Sequence, residues 1–347
     1  MKLIKVENKI NVTSSRLEVY DTLPNGTYSI KQDPRTFEFF LIREVFDSFS
    51  IPSKLYGNPN EVADKVVRKY SLRKNNLGVL LVGLKGSGKS VTSKLICNKA
   101  NVPVILLSEY FDSGDLLGFL SSITQRFVLF IDEFEKIFNE NAQERILSIL
   151  DGTSETNMLV LLTANSSYKI INPMRNRPSR VHYRFNYGYL TENEILEVLN
   201  DTISDENVVK EILELCNIVG GANYDLLKSV IEEINDFGFE GKAKLLNSLN
   251  IEIEEVEYDV TCDLGDGKYF SCRESSNPQT SEMYFSERVR NIDGSFYRDE
   301  DGDNDYFYIT LSPKKHTSCK PINKGYEIVQ DGKTFIFKRY ELPSLTF

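Results

Sequence analysis

Four runs in the middle of the chain have almost no polar interruption: Gly78-Val-Leu-Leu-Val82, Val104-Ile-Leu-Leu107, Phe127-Val-Leu-Phe-Ile131 and Leu159-Val-Leu-Leu162. Such runs predict strands buried on both faces, the pattern of a parallel sheet covered by helices on each side. Ahead of the first run, the spacing of Val62, Val66, Val67 and Tyr70 predicts an amphipathic helix. This stretch therefore reads as a parallel α/β unit.

The flanks follow other periods. Before the α/β unit, a turn signal at Pro24-Asn25-Gly26 and the aromatic run Phe37-Glu-Phe-Phe-Leu-Ile42 suggest a small, mostly β domain. After it, Thr191 and Glu194 form a capping-box signature, and Ile195, Leu196, Val198 and Leu199 continue at helical spacing. Two more amphipathic segments, 208–215 and 226–234, complete a helical subdomain ending near Phe237-Gly238. Beyond that, Asp266-Gly267, Asp293-Gly294 and Asp331-Gly332 each sit between strand-like sequences and predict hairpins. The expected division is 1–50, N-terminal mostly-β domain; 51–188, α/β core; 189–248, helical lid subdomain; 249–347, β-rich C-terminal domain.

Composition narrows the classes. A chain of 347 residues exceeds what one core usually organises, and 41% hydrophobic with 27% charged residues excludes global disorder. The net charge of -10 has the wrong sign for binding a phosphate backbone by bulk charge, and residues 251–347 alone hold 19 acidic against 12 basic groups. Nucleic-acid contact would need a local basic patch. No apolar run approaches the roughly 20 residues of a membrane span, and the amino terminus lacks the apolar core of a signal peptide, so a cytoplasmic location with no membrane partner is expected.

Five scattered cysteines do not form a secreted disulfide pattern. Cys262, Cys272, His316 and Cys319 lack the short paired spacing of zinc ribbons and read as unpaired thiols and a lone imidazole. The acidic run Asp299-Glu-Asp-Gly-Asp-Asn-Asp305 has glycine at its fourth place and Thr310 at its twelfth, so it reads as a solvated hairpin loop and not a calcium loop.

The chemistry begins at Gly83-Leu-Lys-Gly-Ser-Gly-Lys89-Ser90, a complete phosphate-loop pattern placed after a buried strand and before a helix. Its glycines let backbone N–H groups wrap a phosphate, helped by the positive end of the following helix. Lys85, Gly86, Ser87, Gly88 and Lys89 are binding candidates, with Ser90 and Val91 at the helix start; Lys89 would neutralise β- and γ-oxygens and Ser90 would ligate Mg²⁺. Downstream, Asp132 and Glu133 emerge from the end of a buried strand, where ligands bind in open α/β sheets. Asp132 is the second metal-ligand candidate and Glu133 the group that would polarise the attacking water. A third buried strand ends in Thr163-Ala-Asn165, and Asn165 is a candidate for orienting that water.

The order of phosphate loop, Asp132-Glu133, Asn165 and Met174-Arg-Asn-Arg177-Pro-Ser-Arg180 resembles an AAA+ ATPase, and the last stretch is similar to the arginine-finger region of the classical AAA clade. The resemblance covers about 51–236. It implies a P-loop NTPase core with a helical lid, ATP and Mg²⁺ as cofactors, and a homo-oligomer, by resemblance a hexameric ring. It further implies Asn165 as the sensor 1 residue, and Arg177 and Arg180 as fingers reaching a neighbour's nucleotide, with Arg175 a lesser candidate. Tyr56 and Gly57 stand where that clade carries a glycine-containing segment against adenine, and Gly220-Gly-Ala-Asn-Tyr-Asp225 resembles the start of its last lid helix. No arginine occupies the sensor 2 place; Lys228 is the nearest cation and reads as an exposed helix residue. Tyr110-Phe111, ahead of Gly114, falls about where substrate-threading relatives carry a pore aromatic, without their aromatic-aliphatic-glycine triplet. The wording of the core, Asp151-Gly152 included, is most like AAA ATPases of tailed bacteriophages.

Three readings follow. In the first, a ring-forming ATPase remodels a protein or nucleoprotein client chosen by the flanking β domains. In the second, a nucleotide-switched assembly protein turns over slowly. In the third, a DNA-metabolism accessory ATPase acts, which the acidic charge disfavours.

Overall fold

The computed structural model describes residues 2–6, 9–13, 20–111, 115–150, 157–249, 251, 257–275, 281–299, 301–322 and 325–340. Gly114, Asp151-Gly152 and Glu300 lie outside the described residues. The chain divides into two compact units, Met1–Gly188 and Tyr189–Phe347.

The first unit starts with the antiparallel hairpin β1 (Lys2–Val6) and β2 (Lys9–Thr13). Then come β3 (Thr27–Gln32), β4 (Phe39–Arg43), α1 (Pro59–Leu72), β5 (Leu77–Gly83), α2 (Lys89–Ala100), β6 (Val104–Leu106), α3 (Leu116–Ser121) and β7 (Phe127–Ile131). They are followed by α4 (Phe134–Ile137), α5 (Glu140–Leu150), β8 (Met158–Ala164), α6 (Asn172–Arg175) and β9 (Val181–Tyr187). Seven strands form one sheet in the order β4-β3-β6-β7-β8-β5-β9, parallel except for the β3–β4 hairpin.

Alternating side chains feed two apolar layers. Val79, Leu81, Val128, Phe130, Leu159 and Leu161 pack with Val66 and Tyr70 of α1 and Ile96 of α2. Leu80, Val82, Leu129, Ile131, Val160 and Leu162 pack with Leu120, Phe134 and Ile146 on the other face. Burial on both faces is what the uninterrupted apolar runs require. The helix expected over 62–70 runs slightly longer, as α1, and buries Val62, Ala63, Val66 and Tyr70.

One expectation needs correction: β3 and β4, placed within a separate N-terminal domain 1–50, are part of the seven-stranded sheet. β3 pairs in parallel with β6 and carries β4 on its outer side, so this hairpin extends the parallel sheet. Its aromatic run is the reason, since Phe39 and Leu41 pack against the core layer that holds Phe111 and Phe119.

The second unit begins with α7 (Glu192–Thr202), α8 (Glu206–Ile218), α9 (Tyr224–Phe237) and α10 (Lys242–Ser248). The Thr191/Glu194 capping box is formed at α7, and α10 adds a helix past the expected end at Phe237-Gly238. Strands β10 (Tyr258–Gly265), β11 (Lys268–Glu274), β12 (Met283–Arg288), β13 (Arg290–Asn291), β14 (Tyr306–Leu311), β15 (Ser318–Ile322), β16 (Gly325–Gln330) and β17 (Lys333–Arg339) follow. Six of them form an antiparallel sheet, β13-β11-β10-β17-β16-β15, and β12 pairs with β14. Phe270, Phe285, Phe335, Phe337, Tyr258 and Tyr326 fill the core between these sheets.

The β sheet is tied to the turn between α8 and α9. Tyr326 donates its hydroxyl to the Asn217 carbonyl at 2.6 Å, and Arg339 donates to the Gly220 carbonyl while its guanidinium lies 4.9 Å from the Tyr189 ring centroid. No helix among the described residues is long and apolar enough to cross a membrane.

Candidate nucleotide site

The site forms at the carboxyl ends of β5, β7 and β8, which lie side by side in the order β7-β8-β5. Chain reversal after β5 depends on glycine. Gly83 has φ +147°, and a Cβ there would stand 1.7 Å from the Tyr187 carbonyl oxygen of the neighbouring β9. Gly88, with φ +95°, closes the loop as the residue preceding α2. The loop that Gly83-Ser90 predicts is thus present with its strand before and its helix after.

Lys89 is buried and folds over this loop, donating to the carbonyls of Gly83 at 2.7 Å and Leu84 at 2.6 Å. The Ser87 hydroxyl donates to the Leu84 carbonyl at 2.6 Å. Lys85 is exposed, and Gly86, Ser90 and Val91 are half-buried. The helix behind the loop is held by packing on α1 and by Tyr187, whose hydroxyl donates to Thr92 Oγ1 at 3.0 Å.

Ser90 Oγ and Asp132 Oδ1 lie 3.5 Å apart. Adjacent ligands of an octahedral Mg²⁺ stand about 3 Å apart for metal–oxygen distances near 2.1 Å, and hydroxyl and carboxylate oxygens are the donors such a hard cation takes. The two residues therefore fit a shared Mg²⁺.

Glu133 is half-buried, and its φ of +50° places it in the left-handed region at the start of α4. Its Oε1 accepts from Lys136 Nζ at 2.7 Å and from Asn165 Nδ2 at 3.0 Å. The Lys136 ammonium first, and the Asn165 amide second, hold the carboxyl below the usual carboxylate range, with the Lys85 charge adding to the effect. An ionised base is what water activation requires. Asn165 is in turn fixed by its own N–H, which donates to Glu135 Oε1 at 2.7 Å.

Arg177 and Arg180 sit elsewhere. They form the turn between α6 and β9, with the Arg180 N–H donating to the Arg177 carbonyl at 2.9 Å. Val181 pairs with Gly78 at the start of β5, whereas Tyr187 pairs with Gly83 at its end. The arginines are thus at the opposite end of the sheet from the phosphate loop, about 16 Å away at the rise of a strand. That exceeds an arginine's reach. Arg175 donates to Asn172 Oδ1 at 2.7 Å.

Tyr56 is half-buried with Lys54 Nζ 5.2 Å from its ring centroid, Gly57 has φ +68°, and Leu55 packs on the α1/α2 layer. Phe111 packs edge-on against Phe39 at 5.1 Å, and Tyr110 stands edge-on to Phe138 at 5.8 Å. Lys228 is exposed on α9 with Glu232 at 3.7 Å. Among the described residues no group of His, Cys, Asp and Glu side chains is arranged as a metal site in the C-terminal sheet.

Sequence reasoning missed Thr163, Glu135 and Lys136. The available signal for Thr163 was that it is the one polar residue in the strand Met-Leu-Val-Leu-Leu-Thr-Ala and shares a pleat face with Asn165.

The fold is that of an AAA P-loop NTPase core, with a largely parallel sheet and additional β-rich regions. Residues 79–189, about a third of the chain, match the family model described as ATPase family associated with various cellular activities (AAA). Among solved structures, the chain is similar to the Thermotoga maritima RuvB Holliday junction branch migration motor, at 20% identity and TM-score 0.44, covering 58% of this chain and 73% of that one. It is also similar to the FIGL-1 AAA domain in complex with ADP, at 14% identity and TM-score 0.43, covering 60% and 87%. No curated protein matches the sequence.

Proposed function

We propose that the protein is an ATPase that hydrolyses ATP to ADP and phosphate at the interfaces of a ring of identical subunits. The observation that carries this reading is the division of the chemistry between the two ends of one sheet. Lys89, Ser90, Asp132, Glu133 and Asn165 converge at one end, and Arg177 and Arg180 stand at the other. In this reading a second copy supplies those arginines to a given phosphate loop.

The roles follow from charge and reach. Backbone N–H groups of 85–90 and the Lys89 ammonium bind the phosphates. Ser90 and Asp132 would hold Mg²⁺, which supplies neutralisation of the phosphate charge when bound. Glu133 draws a proton from the water as it attacks, and Asn165 orients the carboxylate that does so. A guanidinium from the neighbour stabilises charge on the transferring group, which makes turnover contingent on assembly.

The lid helices and the antiparallel β sheet belong to one compact unit, joined through Tyr326 and Arg339 to the turn before α9. Lid motion would therefore carry the β sheet with it and deliver work to a protein or nucleoprotein client. A hexameric ring and a cytoplasmic site of action complete the reading. The test is ATP turnover against protein concentration: specific activity should rise as subunits associate, and concentration-independent, near-zero turnover would favour a nucleotide-held assembly instead.

A further inference from the structure

β7 ends where Asp132 and Glu133 leave the sheet, so the strand ladder alone does not fix either group. Thr163 lies on the adjacent strand β8, between β7 and the phosphate-loop strand, in register with Leu81 of β5 and one residue beyond the Ile131–Leu162 pair. It is 1% exposed. Its Oγ1 hydrogen-bonds Asp132 Oδ1 and accepts the Glu133 backbone N–H at 2.8 Å. The direction of both bonds is forced, because an ionised carboxylate only accepts, a backbone N–H only donates, and a hydroxyl has one proton with two lone pairs. Its one proton and one of its lone pairs are thereby engaged. The left-handed backbone at Glu133 turns its N–H away from ordinary strand pairing, and Thr163 supplies the partner that a half-buried N–H needs.

We propose that Thr163 is a positioning residue for ATP hydrolysis, its single buried hydroxyl locking the metal-holding carboxylate of Asp132 to the backbone of the water-polarising Glu133. This rests on the ATPase reading and extends it to a residue whose hydroxyl bonds Asp132 and the Glu133 backbone. The strand itself does not call for a hydroxyl there. Every other side chain of β8 is apolar, and valine has the same branched shape. The consequence is that metal binding and base placement are coupled: a shift of Asp132 toward the metal is passed through one hydroxyl to Glu133.

Thr163→Val removes the hydroxyl and keeps the shape, and Thr163→Ser keeps the hydroxyl. In the full-length protein, Thr163→Val should lower kcat about 10- to 100-fold and raise the Mg²⁺ concentration for half-maximal turnover, the usual effect of losing a partner behind a metal ligand. KM for ATP at saturating Mg²⁺ should stay within about threefold, since the phosphate loop is untouched, and Thr163→Ser should remain near wild type. In nucleotide-free, metal-free protein, hydrogen exchange at the Glu133 amide should be slow in wild type and Thr163→Ser and about tenfold faster or more in Thr163→Val. Wild-type kcat in Thr163→Val, an unchanged Glu133 amide, or a serine variant as impaired as the valine one would overturn the assignment. Absence of hydrolysis by the wild type would instead overturn the ATPase reading, and the amide measurement would still decide the role of Thr163.

Discussion

Strands β5, β7 and β8 of the first unit are apolar and buried nearly from end to end, whereas β10 and β16 of the second alternate buried and outward positions. In these three strands a polar side chain has no solvent face to occupy, so Thr163 stands out near the end of β8 and, with Asp132 and Asn165 just past the ends of β7 and β8, belongs to one hydrogen-bonded group. In the second sheet half of the positions face outward by default. In the separate pair β12 and β14 of the same unit, Tyr284 and Tyr308, 66% and 61% exposed, are likewise an outer face that strand alternation alone produces. Polar residues thus report chemistry in β5, β7 and β8 and mostly report orientation in β10 and β16.

The comparison can be broken first at Glu133. Glu133→Gln keeps the shape of the site and should lower phosphate release about 100-fold or more, with little change in nucleotide affinity or thermal stability. Phe337→Ala should do the reverse. Removing a fully buried ring from the second unit's aromatic core should cost about 3–5 kcal/mol of that unit's stability. Denaturant unfolding followed by amide exchange should show the loss in β10, β16 and β17, with protection in β5, β7 and β8 retained.

Gly332→Ala is a smaller probe of the same sheet. Gly332 has φ +75° in open space, so alanine should cost about 1 kcal/mol through backbone strain alone, read as a small fall in midpoint. Smallest is Lys228→Ala on α9. Its pair with Glu232 is 3.7 Å long and exposed, so stability should change by less than about 0.5 kcal/mol and turnover should stay near wild type.

What was legible in the sequence was legible for local reasons. The phosphate loop is a contiguous string whose glycines need unusual backbone angles, and Asp132-Glu133 and Asn165 follow short uninterrupted apolar runs of the length that buried strands have. The hairpin turns at Asp266-Gly267 and Asp331-Gly332 were readable because both residues of each turn adopt positive φ. Strand pairing is not local. Nothing in the β3–β4 sequence says that its partner is β6, some 70 residues later, so this hairpin reads as belonging to a separate domain when it is part of the seven-stranded sheet. Thr163 escaped for a related reason, since threonine is an ordinary strand former and its role exists only once β8 lies between β5 and β7.

Catalysis shared between subunits is tested most directly by mixing two inactive proteins. Glu133→Gln subunits retain both arginines, and subunits carrying Arg177→Ala with Arg180→Ala retain Glu133 and the phosphate loop. If sites are completed by a neighbour, a one-to-one mixture rebuilds one intact site for each correctly ordered pair, and turnover should return to about a quarter of wild type for random mixing in a cyclic assembly. A mixture as inactive as its two components, under conditions where the wild type associates and hydrolyses ATP, would contradict the account.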